Sequence, residues 1–551
     1  MKKILAFSLI VFLLLSAGLL SACGEETPSA LPVLQTEDTA LPAPSAQPVS
    51  PDLNASVQSG DDWEEDAIPL RLSDETGSLT ISEGGTYLLS GTLTSGQILV
   101  DAPEDARVKL ILNGVSVTQQ GHAAVYARSA DKLILSTAKG SVNRLASEGD
   151  FIQQDEANVD AALFARCDLT LNGEGTLNIS CETGHGVVSK DDLKLKDGAV
   201  NIIAAKKAME GKDSLTVEGG SLTAEAGTKG LVSGSAEDEG SGLILISGGS
   251  ISVLSRDDAI HSAKTFTLED GTLLLSSEDD GIHADDTLTV RGGSLTVTQS
   301  YEGLEAKAID ISGGSLYIRS SDDGLNAAGG RDGSNGYGPF GGDPFRGDSS
   351  ASLSISGGIL VVNAEGDGLD SNGSLSVSGG EVYVSGPTRG GNGALDCGTG
   401  SLISGGTVIA VGSADMAENF GTSSSQGSIL LTVGNQAAGA AVSLSDESGK
   451  VLASYTPEKS FQSAVISCPG MEAGKRYTVT AGSFTQTVNL DSLIYGSGML
   501  MGGMGGFPGG QGGGPGAQGG YGGFPGGQGS GQGGGPGGGP DSQGGGPGRR
   551  P

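Results

Sequence analysis

Residues 257–327 fall into four rows when broken before each pair of corner residues: DDAIHSAKTFTLEDGTLLLSSE (257–278), DDGIHADDTLTVRGGSLTVTQS (279–300), YEGLEAKAIDISGGSLYIRSS (301–321) and DDGLNA (322–327). The steps from Asp258 to Asp280 and from Asp280 to Glu302 are 22 residues each, and the step to Asp323 is 21. The same corner returns at Asp367-Gly-Leu-Asp-Ser and at Asn392-Gly-Ala-Leu-Asp-Cys. The longer step before Asp367 reflects an insertion at 329–350, a Gly-rich loop with Tyr337, Phe340 and Phe345. A fixed period of this size is the signature of a repeat architecture.

About ten residues after each acidic corner comes a glycine pair: Gly292-Gly293, Gly313-Gly314, Gly357-Gly358, Gly379-Gly380 and Gly405-Gly406, with Gly219-Gly220 and Gly248-Gly249 upstream. Between corners run short alternating segments of β-formers, such as Leu288-Thr-Val, Leu295-Thr-Val and Leu316-Tyr-Ile. Period-2 alternation punctuated by glycines reads as strand and turn in succession. One such coil cannot bury its apolar side alone. Stacked at strand spacing, about 4.8 Å, coils form a continuous core and pair their backbones in parallel. The fold class is therefore all-β, a parallel β-helix with coils of about 22 residues. A β-propeller would need a repeat about twice as long.

Stacking turns equal phase into adjacency. Ile260, Ile282, Leu304, Leu325, Leu369 and Leu395 form an apolar column, and Ser262, Ala284, Ala306, Ala327, Ser371 and Cys397 a column of small residues. Cys397 thus reads as a buried small residue. Weaker rungs extend upstream through 162–165, 186–189 and 208–211, and 84–135 holds the first, less regular coils. From 426 the pattern changes to longer strands, giving a small all-β cap over 426–495 behind a β-helix of 63–425.

The chemistry lies on the corner before the apolar column. Asp258, Asp280, Glu302, Asp323 and Asp367 share one phase, and Asp257, Asp279 and Asp322 precede three of them. Three positions on are His261, His283, Glu305, Asn326, Asp370 and Asp396. Two carboxylates about 5 Å apart repel by roughly 3 kcal/mol at an effective dielectric of 20. A file of them needs protons, solvent or a cation, and carboxylate, amide and carbonyl oxygens are the donors Ca²⁺ prefers. Asp-Gly is also ordinary turn chemistry, in which Asp caps the turn and Gly takes positive φ. That reading leaves the second polar column unexplained. The two histidines among carboxylates read as ladder packing. Upstream, Lys206, Lys207 and Lys229 replace the acids, with Lys190, Lys194, Lys196 and Lys212 nearby, a strip suited to uronate carboxylates or merely to solvent.

The ends carry other signals. Lys2 and Lys3, the apolar run 4–20 and Leu20-Ser-Ala-Cys23 form a lipoprotein signal peptide (1–22), with Cys23 the expected lipidated residue. Gly24 behind it points to retention at an inner membrane. Residues 23–62 have a linker's composition, and 496–551 is a Gly/Pro/Gln-rich tail that cannot build a core. A net charge of −34 with only 31 Lys and Arg argues against nucleic acid as partner. Beyond Cys23, the remaining cysteines are too scattered for a disulfide scaffold or zinc site. One Trp and few other aromatics weaken a model of sugars stacked on aromatic platforms.

Segments 108–118 (VKLILNGVSVT), 160–180 (DAALFARCDLTLNGEGTLNIS), 186–202, 279–297, 301–314 and 321–330 resemble the clostridial cellulose- and pectin-binding β-helix lipoproteins, classed as carrying a carbohydrate-binding domain. The resemblance implies a right-handed parallel β-helix related to pectate lyases. It also implies bound Ca²⁺ and binding of plant cell-wall polysaccharide without known cleavage. Carried over residue by residue, Asp279-Asp280 and Asp322-Asp323 are the leading calcium positions, with Glu302 and Glu305 between them; Asp257, Asp258, Asp367 and Asp370 complete the expected metal set. The lysines at 206, 207 and 229 put calcium in their coils in doubt.

The function expected is therefore a monomeric surface lipoprotein on the extracellular face of the bacterial membrane, touching the bilayer only through its lipid. It would bind pectin, polygalacturonate or cellulose through a calcium-loaded rod. Two other readings stand beside it. A calcium-dependent polysaccharide lyase would use Lys307, Arg291 or Arg319 as base, though no single basic residue is set apart by the repeat. A structural adhesin would use calcium only to stiffen the stack.

Overall fold

The structure is a computed structural model that describes residues 66–156, 158–235, 240–328 and 350–496. The expected signal peptide, Cys23, the linker, the insertion at 329–349 and the tail beyond 496 lie outside these residues. Among the described residues there is no helix.

Each regular coil contributes three strands. One coil runs Ile260–Ser262, Thr265–Leu268 and Thr272–Ser276. In the next, Ile282–Val290 bends through the first two positions before Ser294–Gln299 supplies the third. Equivalent strands pair in parallel from coil to coil and define three faces of a prism. The short first strands make what we call the site face: Ile260 pairs with Ile282, Ile282 with Leu304, Leu304 with Leu325, Leu325 with Leu369 and Leu369 with Leu395. The apolar column expected from the sequence is thus a physical file. Its small neighbours, Ser262 to Cys397, pair in the same register.

Alternation explains which side chains enter. In Thr265–Leu268 the burial alternates, Phe266 and Leu268 lining the core while the threonines face outward. Repeated over three faces, this yields one apolar cluster from Leu72 to Val465. Stacked leucines, isoleucines and valines at nearly zero exposure interdigitate at close-packed density, so every coil must supply the same volume.

The two glycine signals have different causes. Gly293, Gly314, Gly358 and Gly380 have φ between +76° and +87°, so these corners need a residue that accepts a left-handed backbone. The Asp-Gly corners do not: Gly281, Gly303, Gly324 and Gly368 are absent from the positive-φ glycines. They are glycine because the next coil lies against them. A Cβ on Gly303 would fall 2.2 Å from the Gly324 carbonyl oxygen and 2.2 Å from Ile318 Cγ2. The turn explanation of the acidic corners, with glycine chosen for its φ, is therefore wrong. Close approach between coils fixes the glycine and leaves the preceding acid unexplained by turn geometry.

The stack ends in antiparallel structure. Phe461–Ser467 pairs antiparallel with Gly400–Gly412, the last long strand, and with Ser428–Gln436. A separate four-stranded antiparallel sheet is built from Val442–Ser445, Val451–Tyr455, Lys475–Ala481 and Phe484–Leu490. Its core takes in Tyr383, Ile409 and Val411 from the third face, and Tyr383 and Tyr455 stack at 5.2 Å. This C-terminal part closes the open edge and leans on the third face, leaving the site face to other partners.

Candidate metal centre

Three files run along the site face. The inner corner file is Lys207, Lys229, Asp258, Asp280, Glu302, Asp323 and Asp367; its order follows from the carbonyls of Lys229, Asp258, Asp280, Glu302, Asp323 and Asp367, each accepting an amide from the preceding coil. At the next rung the structure aligns Gly393, not Asn392, with Asp367. The outer corner file holds Asp257, Asp279, Tyr301, Asp322 and Gly366. The strand file is His261, His283, Glu305, Asn326, Asp370 and Asp396. Further upstream the strand file runs through Val232 and Glu210 to Val188, Phe164 and Tyr126, and beyond Glu210 it is apolar. There Tyr126 and Phe164 meet edge to face at 5.7 Å in a satellite core with Val159 and Val188.

The inner carboxylates repeat one contact. Asp258 Oδ1 accepts the Asp280 amide at 3.2 Å, Asp280 Oδ1 the Glu302 amide at 3.3 Å, Asp323 Oδ1 the Asp367 amide at 2.6 Å and Asp367 Oδ1 the Gly393 amide at 2.5 Å. Each acid thereby satisfies one backbone donor of the next coil with one oxygen. The second oxygen remains for something else, and what it meets changes along the file.

At the upstream end it meets cations of the chain itself. Lys229 Nζ lies 2.7 Å from Asp257 Oδ1 and 2.5 Å from Asp258 Oδ2. His261 Nδ1 adds a contact to Asp258 at 2.9 Å. Burial would raise the Asp258 pKa, but His261 and Lys229 outweigh it and hold the group at about 2. One coil on, His283 Nδ1 lies 3.2 Å from Asp280 Oδ2 and 2.6 Å from Glu305 Oε2, and its Nε2 3.2 Å from Asp285. Burial would lower the imidazole; these three carboxylates override it and push His283 up to about 12. His283 is thus an imidazolium, 1% exposed, stacked on His261 at 4.9 Å. The basic strip expected upstream is largely paired within the chain: Lys207 to Glu210, Lys206 to Asp160, Lys194 and Lys196 to Glu218.

Downstream the internal cations stop. Among the described residues no lysine, arginine or histidine pairs with Glu302, Asp323, Asp367 or Asp370. Burial, reinforced by Glu305 and Asp280, pushes Glu302 up to about 9. Burial also lifts Asp323 to about 7, with Asp322 and Asp396 adding repulsion, and lifts Asp367 and Asp370 to about 8. Glu418, beside Asp396, rises to about 7. Such groups are between half and almost wholly neutral near pH 7, or ionised only with a cation among them.

Asn326 tests whether a cation fits. It lies in this stretch at 8% exposure, and its Nδ2 donates to Glu302 Oε2 at 2.9 Å. Its Oδ1 is buried without a donor. A buried, orphaned amide oxygen beside half-buried carboxylates is a costly arrangement for an empty site and a favourable one for a hard cation. The ligand atoms of Asp280, His283 and Glu305, and those of Asp257, Asp258 and Asp279, lie within 4.8 Å of one another, but in both sets a chain cation already occupies the acids; among the described residues no three of Glu302, Asp323, Asp367 and Asp370 are gathered that closely, so that stretch is a row of donors and not one closed cage.

Of the metal residues expected from sequence, the structure brings Glu302, Asp323, Asp367 and Asp370 into one uncompensated stretch with Asn326. It gives Asp257, Asp258, Asp280 and Glu305 to Lys229 and His283, and keeps Asp279 and Asp322 on the outer file. Sequence reading missed Asn326 as a donor and His283 as the internal counter-ion. The signal was available in the strand file, where both break a run of acids.

The site face thus defines a parallel β-helix with a file of carboxylates, buried at Asp258 and Asp280 and half-buried from Glu302 onward. Residues 75–324 match a protein family described as "Carbohydrate-binding domain-containing protein". A protein of that description from Acetivibrio thermocellus is 32% identical over 126 residues, 22% of this chain and 44% of the relative. The chain therefore matches less than half of that relative's length. Among solved structures, the polysaccharide lyase-like protein from C. thermocellum, as its gadolinium derivative, is 28% identical with a TM-score of 0.39, over 42% of this chain and 91% of that one. The family resemblance expected from the sequence holds over 75–324, which contains the files from Asp257 to Asp323.

Proposed function

We propose that this protein is a non-catalytic carbohydrate-binding rod. It takes up Ca²⁺ along the stretch of Glu302, Asp323, Asp367, Asp370 and Asn326 and binds acidic plant cell-wall polysaccharide, pectin or polygalacturonate before cellulose, through calcium held there. The observation that carries this reading is the change along one file, where buried carboxylates neutralised by Lys229 and His283 give way to half-buried carboxylates with no chain cation and a buried amide oxygen with no donor. The family match supports a glycan partner. A chain at −34 repels polyuronate, so a bridging divalent cation supplies the attraction. Lipidation at Cys23 would hold the rod at the extracellular face of the membrane, with 24–62 as spacer.

Affinity of the full chain for polygalacturonate, measured in calcium and again in excess chelator, tests the reading. Binding that vanishes in chelator and returns with calcium supports it. Equal binding in both conditions overturns the bridging role.

A further inference from the structure

Among the described residues, one large aromatic side chain is exposed, and it lies inside the acidic files. Tyr301 occupies the outer corner file, where the coils before and after carry Asp279 and Asp322. Its amide donates to the Asp279 carbonyl at 2.8 Å, and its carbonyl accepts the Asp322 amide at 2.9 Å. The side chain is 48% exposed. Its hydroxyl hydrogen-bonds the Asp322 carboxylate, which ties down one edge of the ring. The residue after it is Glu302, a member of the uncompensated stretch.

The rung beyond Asp322 carries no side chain and is covered by the acids before it. Gly366 stands there, and a Cβ on it would fall 2.5 Å from Asp322 Oδ1 and 2.4 Å from Asp323 Oδ1. The outer file therefore presents a ring at one rung and a carboxylate at the next, and has no side chain at the third. Relief of charge alone would not call for a ring, since Gly366 relieves it without a side chain. A half-exposed ring anchored at its hydroxyl leaves an apolar face in water, and the C–H face of a pyranose is a natural cover for it. Rungs lie about 4.8 Å apart, close to the length of one sugar ring, so a sugar on Tyr301 places its neighbour over Asp322 and Asp323.

We propose that Tyr301 is the stacking platform of the glycan site, receiving the C–H face of a uronate ring whose chain is bridged to the Glu302–Asp323 carboxylates by the bound divalent cation. The assignment rests on the function proposed above and adds the residue that orients the sugar, and it makes the ligand an acidic oligosaccharide laid along the rod axis.

The test is calorimetric titration of tetragalacturonate into calcium-loaded full chain, with Tyr301→Ala and Tyr301→Phe as variants and calcium alone titrated into each metal-free protein. Calcium affinity stays the same in all three. Tetragalacturonate affinity falls about tenfold in Tyr301→Ala and changes by less than about twofold in Tyr301→Phe, which keeps the ring face. Equal affinity of Tyr301→Ala and the unaltered protein overturns the stacking role. A loss in Tyr301→Phe as large as in Tyr301→Ala overturns it too, moving the effect to the hydroxyl and Asp322. Cellotetraose binding as tight as tetragalacturonate, with the same dependence on Tyr301, overturns the uronate assignment. Sugar binding that persists in chelator but still falls in Tyr301→Ala upholds stacking and overturns the calcium bridge. No binding by the unaltered protein overturns both.

Discussion

Lys229 Nζ sits 2.5 Å from Asp258 Oδ2, so the first carboxylate of the inner file has its counter-ion inside the chain. Asp258 is 3% exposed, and burial without a partner would force it to take up a proton. The lysine is held as firmly as the acid. Burial would lower its pKa, yet Asp258 and Asp257 push it up to about 12. This pair opens the self-neutralised part of the acidic file, which His283 carries one coil further, and it can be broken without touching the downstream stretch.

Lys229→Met should therefore destabilise the protein by about 3 kcal/mol or more at pH 7, because it strands a buried charge. Added calcium should recover part of the loss by entering the emptied position beside Asp257 and Asp258. Denaturant midpoints with chelator and with calcium check this; a loss that calcium leaves unchanged contradicts it.

The downstream acids set the pH dependence. Glu302, Asp323, Asp367 and Asp370 have native pKa values raised to about 7 to 9. Their contribution to stability is full below the unfolded carboxylate range and is lost as pH rises through the raised values. In chelator the melting temperature should fall steadily from pH 5 to pH 9. In calcium the fall should shrink or reverse, since the metal binds the ionised form. Asp258 has the opposite sign, with its stabilisation present above the unfolded value and lost only as pH falls towards 2. A flat profile in chelator would contradict the assignment.

Asp323→Asn and Asp367→Asn separate repulsion from binding. Each removes a half-buried, like-charge-crowded carboxylate while keeping an oxygen for the next coil's amide, so the metal-free variants should melt no lower than the parent at pH 8. Calcium should then raise the melting temperature by less than it raises the parent's, with affinity down about tenfold or more. Differential scanning calorimetry with and without calcium reads both effects.

Gly303→Ala tests the coil contact. A methyl group there meets backbone of the next coil, which cannot rotate away, and Ile318 in the core. We expect about 3 kcal/mol of destabilisation, at the upper end of overpacking effects. If the cost were only that of an ordinary surface substitution, glycine at this corner would need another cause.

Much of this was legible in one dimension because a parallel stack converts phase into contact. The rows beginning at 257, 279, 301 and 322 place His261 beside His283 and Glu305 beside Asn326, and the pairing is the same in space. Close approach is not written in phase. Gly281 and Gly293 look alike in the sequence, yet one yields to a neighbouring carbonyl and the other to its own φ. Nor does the alignment say which carboxylates find a counter-ion, since that depends on how far the Lys229 and His283 side chains reach. Tyr301 was hidden for a simpler reason. A search for acids passes over the rung where the acid is missing.

The in-register pairing of Leu304 with Leu325, and of Leu325 with Leu369, makes the rod a counted object. An added or deleted coil shifts every file by one whole rung and leaves all other neighbours intact, whereas a change of one or two residues throws three files out of step together. Ion capacity and glycan length in such a protein can therefore be tuned only in integers, by duplicating or losing a coil, and the number of rungs between the last internal cation and the C-terminal closure sets how many.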